Sequence, residues 1–400
     1  MEKALPPRKS VWTILGKNHS SCPDLQCEIS EKSLVHPCNQ QGGARMGRKV
    51  FWVIFASLFA LLPVVARVAQ GQAKSDEVYV WEGVDGSGKR FSYKVTRPTP
   101  KKAYHIGVSF PHLKDPYWVD QAYGVVKEAK KLGLKLTILT AGGYPYLSKQ
   151  IAQMENLHQM GVDLIISGPI SYKGNVAVTD EIVKKGTPVV NLGQTSDTKS
   201  WTTTVLSEDY KMGRIVANWI VKDAAGKSAN VAMVSGPAGA TWTMDRSRGS
   251  RDVLKQHSNI KIVAERWADE DRSLQTKIME NLLQTFPKID YVIGVAFPDT
   301  AGAADAIRAA GREGKVKIAA SSLDQALIPF IREGQVNFAI AKHMILTGRA
   351  IVRMAVHILN GQKNIPRLIY ATMEGFTPKT LKNLDLKNEF PPKGWRVPLR

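Results

Sequence analysis

The chain has 400 residues, 44% apolar and 22% charged, with a net charge of +20. That balance is the profile of a soluble globular protein, and the length suggests two domains. The basic residues are scattered along helix-like stretches rather than gathered in an arm, apart from Lys101 and Lys102; this describes a solvated basic surface and argues against a nucleic-acid partner.

In chain order, residues 1–45 precede a methionine, Met46, that opens a segment of different character. "MGRKVFWVIFASLFALLPVVARVAQGQA", residues 46–73, begins with Arg48 and Lys49. It continues through an apolar run from Val50 to Val65, broken by Ser57 and Pro63, and leaves through small residues. A basic flank, a short apolar core and a small-residue exit describe a secretory signal peptide, cleaved near Ala73. The competing reading is a membrane anchor, but the run is shorter than the roughly 20 residues a spanning helix needs. Residues 1–45 then read as an over-long gene model upstream of the true start. Cys22, Cys27 and Cys38 all fall there, and "CPDLQC" lacks metal-ligand spacing, so the exported chain is expected to hold no disulfide, thiolate or metal site. Residues 1–73 carry nine Lys/Arg and four Asp/Glu, which leaves +15 on the remainder.

Residues 74–103 read as an N-terminal hairpin extension turning at "DGSG". From Tyr104 onward short β-branched runs alternate with helix-length segments: "YHIGVSF", "LKLTILTA", "DLIISG" and "TPVVNLG", then, after a pause at residues 200–213, "ANVAMVSG", "IKIVAERW", "DYVIGVAF", "VKIAASS" and "VNFAIA". Helices are expected to end at Gly133, Gly161, Gly186 and Gly311, where glycine relieves a left-handed backbone. Continuous apolar strands between helices predict parallel sheets covered on both faces. Nine such strands are many for one open sheet. The chain therefore divides into two doubly wound α/β lobes: residues 104–207 with about 342–365, and 208–341 with about 366–380. An irregular tail follows at 381–400.

Open parallel sheets bind ligands beyond the carboxyl ends of their strands. The residues there are Asp115, Tyr117 and Trp118 after the first run, Tyr144 after the second, and Asp209, Trp242, Arg246, Phe297, Asp299, Ser322 and Asp324 in the second half. No GxSxG, HExxH or GxxxxGK[ST] accompanies them. His112 and His343 stand near strand ends but read as hydrogen-bonded structural residues. "GPAGATW" is a common glycine-rich turn. Asp269/Asp271 and Glu208/Asp209 resemble acid/base couples, though acids at a helix start need no catalytic reason. An enzyme using Asp209, Asp299 or Asp324 remains the rival class, tested by product formation from glycosides or amides; the expectation is a non-enzyme without cofactor or metal.

At "SFPHLKDPYW", "AGGYP" and "SEDYKMG" the chain resembles type I periplasmic binding proteins, over roughly residues 79–380. "PHLKDPYW", "TAGGYPYLSKQ", "WADEDRSLQ" and "IDYVIG" are similar to the branch that senses trimethylamine N-oxide and signals to a membrane-bound sensor histidine kinase. The resemblance implies two lobes joined by crossing hinge strands, a periplasmic location, and an aromatic box to which Tyr117, Trp118 and Tyr144 correspond. Two box positions depart from that branch. Asp209 stands where it has a tryptophan, and Ser322, with Asp324 nearby, stands where it has a tyrosine. Arg246 sits where many members of the family place a ligand-binding arginine. The implied ligand has a cationic or multi-hydroxyl head. The partner is the sensor kinase or, alternatively, an ABC permease for a sugar or amine-bearing solute.

Overall fold

The runs of four consecutive buried residues at Leu164–Ser167, Val189–Leu192, Tyr291–Gly294 and Phe338–Ala341 leave no face for water, and each becomes an interior strand. They belong to a computed structural model that describes residues 78–399. The readings of residues 1–45 and 46–73 lie outside the described residues.

Two sheets result. The first contains β1 (Val78–Val84), β2 (Arg90–Thr96), β3 (His105–Phe110), β4 (Lys135–Thr140), β5 (Leu164–Ser167), β6 (Val189–Leu192), β7 (Thr204–Leu206) and β13 (Leu368–Tyr370), in the order β2-β1-β13-β7-β6-β5-β3-β4. The second contains β8 (Ala229–Ser235), β9 (Ile260–Trp267), β10 (Tyr291–Gly294), β11 (Lys317–Ala320), β12 (Phe338–Ala341) and β14 (Glu374–Phe376), in the order β14-β12-β11-β10-β8-β9. Pairing is parallel except where β1 meets β2 and β13, and where β14 meets β12. The helices are α1 (Pro116–Lys131), α2 (Leu147–Gln159), α3 (Val176–Lys184), α4 (Asp209–Ala224), α5 (Thr241–Leu254), α6 (Arg272–Thr285), α7 (Phe297–Ala309), α8 (Ile328–Arg332), α9 (Met344–Leu359) and α10 (Leu386–Glu389). The fold is α/β with two sheet-centred lobes.

Gly133, Gly161, Gly186 and Gly311 all take positive φ just beyond α1, α2, α3 and α7, as the sequence requires. The hairpin turns where expected, with the Asp85 carboxylate accepting from Ser87 N at 2.9 Å and Lys89 N at 3.0 Å. It is not a separate appendage, however: β1 pairs with β13 and extends the first sheet. The segment 366–380, read as part of the second lobe, is shared. Its β13 completes the first sheet and its β14 the second, because alternating apolar patterning cannot say which sheet a three-residue strand joins. The pause at 200–213 hides β7, also three residues long. Nor is the tail irregular throughout: it holds α10 and buries Leu384 and Phe390 in the second lobe's core.

In each lobe a pair of helices packs backbone to backbone through glycines. A Cβ on Gly124 of α1 would lie 2.1 Å from the Ile345 carbonyl oxygen of α9, and one on Gly348 of α9 would lie 2.1 Å from that of Gln121. Likewise Gly213 of α4 faces the Arg246 carbonyl of α5 at 1.9 Å, and Gly249 of α5 faces that of Tyr210 at 2.1 Å. Any larger residue would push the axes apart, so these pairs set the positions of the helix starts beside the strand ends.

Candidate ligand-binding cleft

Asp115 caps α1, its carboxylate accepting from Trp118 N at 3.2 Å, with Pro116 opening the helix. The first turn of α1 then divides its two aromatics. Trp118 is fully buried, edge-on to Phe110 at 5.9 Å and against Gly168, where a Cβ would come within 2.7 Å of the indole. It belongs to the first lobe's core and does not line the cleft. This corrects its place in the aromatic box: neighbouring helical residues point about 100° apart, so one of the pair faces inward. Trp118 still acts at the rim, donating from Nε1 to the Tyr144 hydroxyl at 3.1 Å. Tyr144 is 45% exposed and also receives Gln194 Nε2 at 3.3 Å. Tyr117 is half-buried and donates to the Gly193 carbonyl at 3.0 Å.

From the second lobe come the start of α4 and the body of α5. Arg246 donates to Asp209 Oδ1 from Nε at 2.9 Å and from Nη2 at 2.8 Å, and to the Val295 carbonyl from Nη1 at 2.7 Å. Its guanidinium lies 4.7 Å over the Trp242 ring. Asp324 accepts from the Ser322 hydroxyl at 3.1 Å. Phe297 turns edge-on to Phe330 and packs on the second lobe's core. Asp299 is fully buried and caps its own helix, Oδ2 accepting from Ala296 N at 3.0 Å. Both follow β10; Asp299 is turned into its own lobe, while Phe297 stays partly exposed at the start of α7.

Groups absent from the sequence-derived set complete the cleft. Lys342 follows β12 on a crossing between the lobes and is 6% exposed. Its ammonium stands 5.4 Å over the Tyr117 ring. Burial lowers its pKa, while the charges of Asp324, Asp209 and Asp120 oppose that shift. Burial raises both Asp115 and Glu270, the charge of Asp115 raises Glu270 further, and the Asp324 charge adds to each shift. Burial raises Asp120 to about 8, with Asp324 and Glu389 contributing, and Asp299 to about 7, with Glu270 contributing. Burial also raises Asp209 against the pull of Arg246. Charged groups of the two lobes are thus close enough to act on one another, and carboxyl groups outnumber cations among them. Glu270 lay beside the acids noted at a helix start, where Asp271 is the cap, accepting from Leu274 N at 2.7 Å. Lys342 had no signal beyond its place after an apolar strand.

Among the described residues no group of His, Cys, Asp and Glu is arranged to hold a metal ion, and no helix is long and apolar enough to cross a membrane.

Residues 106–363 match the family model described as periplasmic binding protein domain. The ribose import binding protein RbsB of Bacillus subtilis is 30% identical over 279 residues, 70% of this chain and 89% of its own length. The periplasmic protein TorT of Escherichia coli K12 is 27% identical over 313 residues, 77% of this chain and 88% of its own; TorT solved in complex with the TorS sensor domain superposes with a TM-score of 0.65, covering 74% of this chain and all of that one. An ABC transporter solute-binding protein of Bradyrhizobium sp. BTAi1, solved with bound Bis-Tris, is 31% identical with a TM-score of 0.75, covering 80% of this chain and 98% of that one. These relatives are binding and sensor proteins, in keeping with a chain that carries no catalytic motif. With its two sheets, its crossings and its interlobe crevice, the chain belongs to the type I periplasmic binding protein family.

Proposed function

We propose that this protein is an exported, non-catalytic solute receptor whose lobes close on a small, multiply hydroxylated and amine-bearing solute, and that it delivers this solute to an ABC permease. One observation carries the reading. Two rings beside the cleft already carry one of the chain's own cations, Lys342 over Tyr117 and Arg246 over Trp242, which leaves Tyr144, 45% exposed, as the ring open to a ligand. Hydrogen bonding is then the larger part of what the cleft offers. Lys342 makes no hydrogen bond among the described residues and so has its donors unspent. Asp115, Asp324 and Glu270 offer acceptors and negative charge. Hydroxyls suit the first and an ammonium the second. The Bis-Tris bound by the Bradyrhizobium relative combines both groups.

The importer relatives support a permease as the partner, which reverses the order of the two partners that the sequence motifs suggested. Relay to a sensor histidine kinase is the second reading, favoured by the longer TorT match. The signal peptide at 46–73 and a periplasmic location belong to both. Calorimetry with Bis-Tris, D-ribose and trimethylamine N-oxide tests the solute class: binding of a hydroxylated compound is expected. Tight binding of trimethylamine N-oxide with none of the others would refute it. Co-purification with a permease or with a kinase sensor domain decides the partner.

A further inference from the structure

The lobes are joined where the chain passes from β7 to α4 at 207–208, from β12 to α9 at 342–343, and from β13 to β14 at 371–373. Opening a two-lobed receptor changes backbone torsions at such crossings. The second crossing carries a restraint that the solute site does not need. His343 has φ 52°, a left-handed conformation uncommon for a residue with a side chain. One carboxylate holds it there: Glu389 accepts from His343 N at 3.3 Å with Oε1 and from Nδ1 at 2.8 Å with Oε2. Glu389 is the last residue of α10 in the C-terminal tail and is 4% exposed. On the other side of the imidazole, Glu374 of β14, just past the third crossing, brings Oε1 to 3.9 Å of Nε2. The remaining charged groups near the pair are Asp120 on α1, whose carboxyl senses Glu389, and Lys342, next in the chain, which faces Asp120.

We propose that the Glu389–His343 pair is a proton-sensitive latch on the hinge, by which the C-terminal tail holds the second crossing in the conformation that sets the charges of the two lobes face to face. The latch is a property of the two-lobed fold and holds whatever solute the cleft accepts. Burial, and the positive end of α9, work against a charged imidazole at this place. The hydrogen bond and charge of Glu389 and the charge of Glu374 outweigh burial and hold His343 above its ordinary pKa. A group raised in the latched state favours that state fully below its unlatched pKa and loses the effect as pH rises through the raised value. The latch is therefore closed in mild acid and released in mild alkali.

Small-angle scattering of the full chain without solute, at pH 6 and pH 9, reads the lobe separation directly. Wild type is expected to be more extended at pH 9. The lobe-separated population should rise about tenfold for each unit by which the latched pKa exceeds the unlatched one. His343→Asn tolerates the left-handed backbone but, like neutral histidine, carries no charge for Glu389 and cannot titrate, so it should show the extended dimensions at both values. Glu389→Gln should be extended already at pH 6. The proposal fails if wild type has the same dimensions at both pH values, or if His343→Asn repeats the wild-type response, which would assign it to Asp120 or Asp299. Should Glu389→Gln not fold, His343→Asn decides alone. No solute enters the measurement, so its failure leaves the solute-receptor reading untouched.

Discussion

In the proposed reading, Lys342 is the residue that turns the cleft from an aromatic box toward hydroxylated solutes. Its ammonium covers the face of Tyr117 and balances Asp324, Asp209 and Asp120. Lys342→Met should weaken binding of a hydroxylated solute at least tenfold, because hydrogen bonds to charged donors contribute about 1.5–3 kcal/mol. The same change uncovers Tyr117, so a quaternary cation should gain affinity; calorimetry with D-ribose and with tetramethylammonium checks both. Asp299 makes a second residue-level case. Its buried carboxyl is raised to about 7, so between the ordinary aspartate range and pH 7 the folded protein binds a proton that the unfolded chain has lost. Stability contributed by this group must fall as pH rises through that window. Asp299→Asn should flatten the slope of thermal stability between pH 4 and 7 relative to wild type. An unchanged slope would mean that Asp299 titrates normally.

At the scale of elements, the glycine-paired helices and one buried ion cluster do most of the positioning. A methyl group at Gly213 would enter the Arg246 carbonyl. Gly213→Ala must displace α5 from α4 and with it the Arg246–Asp209 pair. A loss of about 1–3 kcal/mol in stability is expected from overpacking, together with loss of solute binding; chemical unfolding and calorimetry on one preparation separate the two. In the first lobe Glu128 of α1 is fully buried and accepts from Arg349 Nε at 2.7 Å and Arg353 Nε at 2.6 Å of α9, with Arg97 Nε at 3.4 Å. Arg353 also reaches the Val95 carbonyl of β2, so the cluster ties the hairpin, α1 and α9 together. Glu128→Gln removes the buried negative charge at the centre of this cluster and should cost about 3–5 kcal/mol, read as a shift in the urea midpoint. The hairpin gains a second anchor at the rim of the hinge, where Arg90 donates to Glu208 at 2.8 and 2.9 Å and lies 5.3 Å over Tyr370.

For the whole molecule, the proposed receptor couples solute binding and lobe closure in one equilibrium. A solute shifts it only by its differential affinity for the closed form. A true ligand present at about 100 times its dissociation constant should add roughly 2.7 kcal/mol of stability. Thermal-shift screening of amino-polyols, sugars and N-oxides therefore ranks solute classes directly, and a screen in which trimethylamine N-oxide alone stabilises the protein would overturn the proposed class.

The alternation of apolar strands with helices ending at glycine was enough to read two doubly wound lobes, because strand burial and helix termination are set by residues close in sequence. Strand ends are also set by local pattern, so the strand-end rule named Asp115, Tyr117, Tyr144, Asp209, Trp242, Arg246 and Asp324, which stay proposals for the site. The three-residue strands β7, β13 and β14 carry too little periodicity to assign, and their pairing depends on partners far along the chain. Side-chain direction also escaped the sequence: Trp118 turned into the core while Tyr117 stayed half-buried, and Asp299 folded back into its own lobe. Lys342 and Glu389 meet Tyr117 and His343 only because the crossings bring distant parts of the chain together, so their contacts were decided by packing rather than by local pattern.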